Sequence, residues 1–266
     1  MKPQHILFYL ALVFPGMTLV SNAGTGPVVI RGPGLLRLDA RNIIEPTEVG
    51  TNITGSMQLQ FQEKGDVRKQ TLLISAAGLE TNAQVGLTAA IGSDQNVTTI
   101  MNLPSDSRGR VRASFMSKEP DSGRMSRGKE PLPEMLSPLT QVRAICLEDA
   151  NLAVIGFAWV VNAWNYNYIV RRNLTPADSA GTAEGSIRLV ANPRRVSFNL
   201  MAGGLTPEAD YSLVLNSVSV LTTTADSRGR LGIRTWPTNA PPVLELRSLA
   251  LVDSGGTTVL STSLPE

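Results

Sequence analysis

Apolar and polar residues alternate along much of this chain with a period of two. Met57, Leu59 and Phe61 are separated by Gln58 and Gln60; Val111, Ala113 and Phe115 by Arg112 and Ser114; Val196, Phe198 and Leu200 by Ser197 and Asn199. That period sends one set of side chains to a buried face and the other to water, as a β-strand does. Residues 142–147 and 246–251 are more continuously apolar and fit strands at central positions. Turn signals punctuate the runs: Asp-Ser-Arg-Gly at 106–109 and 226–229, and Lys64-Gly65-Asp66 at a hairpin tip. No stretch carries sustained helical periodicity with caps. The pattern predicts an all-β protein.

The turns also expose a repeat. Asp106-Ser107-Arg108-Gly109-Arg110 recurs 120 positions later as Asp226-Ser227-Arg228-Gly229-Arg230. Upstream, Gly55-Ser56 returns as Gly185-Ser186, an offset of 130, and Ala77-Gly78-Leu79 as Gly203-Gly204-Leu205, an offset of 126. Downstream, Pro138 and the apolar run 142–147 return as Pro242 and 246–251, an offset of 104. Four blocks in one order predict two tandem β-sandwich-like domains related by internal duplication, each with about seven strands. The first spans residues 24–160 and the second 161–266. The falling offset places extra residues in the first copy, as a long loop over 117–137 that is polar and charged from 117 to 130. A strand within 162–183 would pack the copies together.

The N-terminus changes the picture of where the chain works. Lys2 precedes an apolar run over residues 6–20, and Ser21-Asn22-Ala23 puts small residues where a signal peptidase reads. Residues 1–23 are therefore expected to be a cleaved signal peptide, and the protein secreted or periplasmic. The run is short for a membrane span, and none is expected after cleavage. With 24 Lys and Arg against 22 acidic residues, the net charge of +2 leaves no overall footprint for nucleic acid. The single histidine, His5, lies inside the signal, which removes His-based triads, His-ligated metals and imidazole catalysis from the mature chain. A single cysteine, Cys146, forms no intramolecular disulfide. Calcium loops, phosphate loops and nucleophile elbows are missing from the sequence. No metal and no cofactor are expected.

Taken in order, a strand opening Gly-Ser-x-x-Leu, a Gly-Leu turn, an aromatic strand around Tyr211, an Asp-x-x-Gly-Arg turn and a Leu/Val-rich strand ending at Asp253 resemble small secreted bacterial β-domain proteins, which occur singly or in tandem. The resemblance implies a fold and an export route, and no catalytic residue. In layout the chain is also similar to chordin-like repeats, which carry a histidine near the Gly-Leu turn where this chain has none.

Two groups of residues are candidates for ligand contact. Trp164, Tyr166 and Tyr168 share one side of a strand and could stack on a sugar or a base. Shifting by 130 sets Tyr166 and Tyr168 against Leu36 and Leu38, which reads equally as a core stripe. Arg108 and Arg110, with Arg228 and Arg230, stand at equivalent turns and could grip an anionic polymer. These readings make the protein a non-enzymatic binding or structural component of the envelope or extracellular space, its partner a glycan or an envelope or extracellular protein. The alternative is a carbohydrate-active enzyme or binding module using carboxylates and the 164–168 strand.

Overall fold

The computed structural model describes residues 34–92, 97–119, 129–160, 165–178 and 181–264; the expected signal peptide lies outside them. The first half contributes β1 (Leu35–Pro46), β2 (Thr54–Lys64), β3 (Val67–Ala77), β4 (Gln84–Ile91), β5 (Val97–Pro104), β6 (Arg110–Glu119), β7 (Glu130–Pro131), β8 (Val142–Glu148) and β9 (Val154–Trp159). The second contributes β10 (Asn165–Pro176), β11 (Glu184–Asn192), β12 (Arg195–Gly203), β13 (Asp210–Leu215), β14 (Val218–Thr224), β15 (Leu231–Ile233), β16 (Ser248–Asp253) and β17 (Thr258–Ser263). Among the described residues there is no α-helix, only three single-turn 3-10 segments. The all-β expectation holds.

The strands form one curled antiparallel sheet. Its central run is β6-β3-β2-β1-β10-β11-β12-β15. β1 and β10 are long enough to serve two ladders each. The first part of β1 pairs with β10, and its last two residues, Glu45 and Pro46, pair with β9. Likewise Thr175 and Pro176 of β10 pair with β17. From these ends hang the runs β9-β8-β4-β5 and β17-β16-β13-β14. The sequence predicted two tandem β-sandwich-like domains packed together; the backbone ladder runs from one half to the other through β1 and β10.

Strand registers in the two halves are related by the offsets of the repeated blocks. Gly55 opposite Ala76 becomes Gly185 opposite Ala202, and Ala76 opposite Val111 becomes Ala202 opposite Leu231. Leu87 opposite Leu147 becomes Leu213 opposite Leu251. Bulges fall at corresponding places, after Leu87 and Leu213 and after Leu147 and Leu251. In the β1–β10 ladder, Leu38 faces Tyr168, its own counterpart at an offset of 130. An approximate two-fold axis thus passes between these two buried side chains.

Alternation supplies the core. Leu36, Leu38, Met57, Leu59, Phe61, Leu72 and Ile74 point inward from the first half, and Val170, Ile187, Leu189, Phe198 and Leu200 from the second; all belong to one hydrophobic cluster. Each such side chain contributes about 1.5–3 kcal/mol on burial. The end of the expected long loop is anchored to this core. Leu132 and Leu136 are buried, and Gln70, itself buried, donates to the Ser137 hydroxyl (2.8 Å) and accepts the Leu139 N–H (2.7 Å). Residues 120–128 of that loop lie outside the described ones.

The two most repeated motifs turn out to touch. The Leu79 N–H donates to the Gly109 carbonyl (3.0 Å), and the Leu205 N–H to the Gly229 carbonyl (3.1 Å). Gly109 and Gly229 sit at φ +64° and +68°, and a Cβ on either would lie 2.1 Å from the carbonyl oxygen of Leu79 or Leu205. Only glycine fits that conformation and that approach. Asp106 and Asp226 close the same turns. Each Oδ1 accepts two backbone N–H groups, from Arg108 and Arg110 and from Arg228 and Arg230. These bonds hold both carboxyls below the usual aspartate range.

Across the junction, Glu63 of β2 bridges Arg68 of β3 (3.2 Å) and Arg172 of β10. The Arg172 contact ties the halves together by charge, partly shielded from water.

Two outcomes are expected in chemical denaturation. Gly109→Ala and Gly229→Ala should each cost about 2 kcal/mol or more, from the left-handed backbone plus the carbonyl clash. Glu63→Gln should cost about 1–2 kcal/mol and should lose most of its effect in an Arg172→Gln background, a coupling measurable in a double-mutant cycle.

Candidate functional site

The inner face of the central sheet is filled by the core, which leaves the outer face to be accounted for. On β1 to β3 and β10 to β12 the outward positions are those between buried ones: Arg37 between Leu36 and Leu38, Arg188 between Ile187 and Leu189. Register places them in rows across the strands. One row reads Val67, Lys64, Leu35, Arg171, Arg188, Asn199. The adjacent row reads Lys69, Gln62, Arg37, Ile169, Val190, Ser197. These two rows carry five cations and no carboxylate. All five are exposed, and none has an ion-pair partner among the described residues. Neighbouring strands lie about 4.8 Å apart, so the strip extends about 19 Å from Lys69 on β3 to Arg188 on β11. Its rows are about 7 Å apart.

Arg171 and Arg188 are directly opposite one another on adjacent strands. Like charges in that relation repel and destabilise the pair. Among the described residues no acid compensates this repulsion, which is the kind of local conflict expected where a surface serves something other than stability.

Beside the strip the chemistry changes. The next two rows hold Gln60, Asp39 and Asn167, then Gln58, Arg41 and Asn165. Asp39 accepts from Gln60 Nε2 (3.4 Å) and lies 4.0 Å from Arg41 Nε. The Gln58 amide oxygen, turned toward them, takes N–H groups from Arg41 (3.0 Å) and Gln60 (2.9 Å). The single carboxylate of these rows thus faces Arg41 and takes an amide N–H from Gln60. A shallow groove of about 490 Å³ opens further along the same face, lined by Ser56, Ser75, Arg112 and Ser114 with Glu130 at its rim.

The sequence candidates are distributed otherwise. Trp164 lies outside the described residues. Tyr166 and Tyr168 point to the inner face, opposite in direction to the strip; Tyr168 is 4% exposed and Tyr166 half-buried. Burial pushes the Tyr168 phenol up to about 12, against the opposing pull of Arg247 and Arg172. Arg108 and Arg228 are exposed at their turns, while the Arg110 guanidinium is held by Asp106 (3.1 Å). A second cavity of about 240 Å³, beside the Gly78-Leu79 turn, is lined in part by Glu80 and Asp149. Asp149 Oδ1 accepts the N–H groups of Asn151 and Ala153, which fixes that carboxylate in its own hairpin. Cys146 is buried, and burial raises its thiol. Among the described residues no three His, Cys, Asp or Glu side chains gather where they could hold a metal ion.

Sequence reasoning passed over the strip because each of its charges looks like an ordinary outward residue of an amphipathic strand. The available signal was Arg37, Arg171 and Arg188 at outward positions of three amphipathic strands. Strand order is what turns that surplus into a surface.

The Tyr168 environment predicts an alkaline transition. A buried phenol whose pKa is raised from 10 to about 12 contributes stability below pH 10 and loses it as pH rises through 12. Unfolding free energy should fall by about 2–3 kcal/mol across that window, and Tyr168→Phe should flatten the fall. Unchanged pH dependence in the variant would show the phenol to be solvated.

No protein-family model matches this chain, and no curated protein matches it either.

Proposed function

We propose that this is an exported, non-enzymatic binding protein, built by internal duplication of one β-domain, and that the outer face of its central sheet is the ligand surface. The observation that carries the reading is the strip of five cations on an open sheet face, none of them ion-paired among the described residues, including two arginines set against each other across neighbouring strands. Duplication is supported by registers that repeat at the sequence offsets and by bulges at corresponding places. Export is supported by the N-terminal pattern of Lys2, the apolar run and Ser21-Asn22-Ala23. The protein's domains are then 24–160 and 161–266, joined edge to edge.

A non-enzymatic role follows from the chemistry within reach. Beyond the signal the chain has no histidine. Of the two acids in the 240 Å³ cavity, Asp149 serves its own turn. The rival carbohydrate-active reading also loses Tyr168 as a stacking platform, since that ring is buried.

The test is made on chain exported from its own N-terminus. N-terminal sequencing should find residue 24 first. Incubation with a panel of soluble and insoluble polysaccharides should release no new reducing ends. Binding to at least one member should disappear when Arg37, Arg171 and Arg188 are all changed to Glu while the thermal midpoint stays within a few degrees. Released reducing ends would establish the enzymatic rival instead.

A further inference from the structure

We infer that the outer face takes a single anionic polysaccharide chain per molecule, laid across the strands in a strip that exists only because the two halves are joined. This inference rests on the face being the ligand surface and adds the ligand class and the stoichiometry.

The stoichiometry comes from the approximate two-fold axis. Applying the offset of 130 to the strip gives its mate at the other end of the same face. Arg171 maps onto Arg41, but Arg188 maps onto Gln58, and Arg37 maps onto Asn167. Asp39 stands where the second half has Ile169, and it neutralises Arg41. Lys64 and Lys69, by contrast, map onto the exposed Arg194 and Arg195, the latter at the 126 offset that relates β3 to β12. One end of the face therefore carries five cations and no carboxylate, and its mate three cations, one of them facing Asp39. Of the basic strip, Lys64, Lys69 and Arg37 come from the first half and Arg171 and Arg188 from the second. Two half-sites of different origin form one site, so the duplication does not double the binding capacity.

The ligand class comes from the shape and side-chain chemistry. Arginine presents a planar fork of donors suited to carboxylate or sulfate, and lysine adds a point charge. Five such groups over about 19 Å suit a linear polymer with repeated negative charge better than a small anion. Gln60, Gln62, Asn167 and Asn199, alongside or within the rows, offer the paired donors and acceptors that hydroxyl groups need. The outward residues of these rows include no aromatic ring, so there is no platform on which nucleic-acid bases or neutral sugar rings would stack. The face is a sheet surface and supplies no helix or ribbon to enter a duplex groove. Leu35, Ile169 and Val190 are scattered singly between charges and form no apolar band for insertion into lipid.

Titration calorimetry of the exported chain against polygalacturonate, its fully methyl-esterified form, duplex DNA and phosphatidylserine vesicles tests the inference. Short oligogalacturonate fragments give the stoichiometry. The expected result is one site per chain for the carboxylate polymer, weakened by added salt, with no binding to the ester. Arg37→Ala in the first half and Arg171→Ala in the second should each weaken binding about tenfold, as loss of one charge-assisted contact does. The double variant Arg108→Ala/Arg228→Ala, at the turn tips, should bind like the parent. Two equivalent sites, or equal binding of the ester, would overturn the inference. Binding to DNA or vesicles alone, abolished by the Arg variants, would overturn the polysaccharide assignment while leaving the face as the ligand surface. Binding unaffected by Arg37→Ala and Arg171→Ala, or lost in the turn-tip variant, would overturn both.

Discussion

The ladder between β1 and β10 is the constraint on which the remaining architecture depends. Without it each half would end in an open strand edge, and the backbone groups of Leu35 to Arg41 and Asn165 to Arg171 would lack their partners on that side. With it, eight strands share one central run, and each half closes the other's edge with an equivalent strand. Leu38 and Tyr168 meet at the middle, both buried, so the ladder is backed by apolar contact on its inner side. The length of β1 and β10 matters equally. At twelve residues each, they leave the central ladder before they end and start a second one, which is how a single sheet curls around its own core.

That arrangement explains where the halves agree and where they differ. Inward positions and turns are held by volume, by backbone pairing and by the carbonyl packed against Gly109 or Gly229. Changes there are costly. Outward positions carry no such restraint, and substitutions at them seldom move stability by more than a few tenths of a kcal/mol. The outer face can therefore differ between the halves while their strand pairing agrees. Gln58 against Arg188 and Asn167 against Arg37 are such differences, and the proposed strip is built from them.

Much of the fold was legible in the residues. The period of two in 57–61, 111–115 and 196–200 appears as strands with one buried face. The recurring Asp-Ser-Arg-Gly and Gly-Leu blocks appear as turns that dock on one another, which is why both recur. Leucines at the positions matching Tyr166 and Tyr168 already pointed to an inward stripe, and Tyr168 is buried. The candidate site was far less legible. Its five cations come from β1, β2, β3, β10 and β11, separated by up to about 150 residues along the chain, and each alone is a routine solvent-facing charge.

What the sequence by itself determined is local: strand period, turn chemistry, and the offsets that relate the halves. Those properties reside in a few neighbouring residues, whose backbone preferences and polarity act over one strand or one turn. What only the tertiary structure decided is which strand lies beside which. Every amphipathic strand presents a similar alternating face, so local pattern cannot choose β10 as the neighbour of β1. That choice is made by the shared core and by pairing across more than a hundred residues, and it alone brings Arg37, Arg171 and Arg188 to one surface.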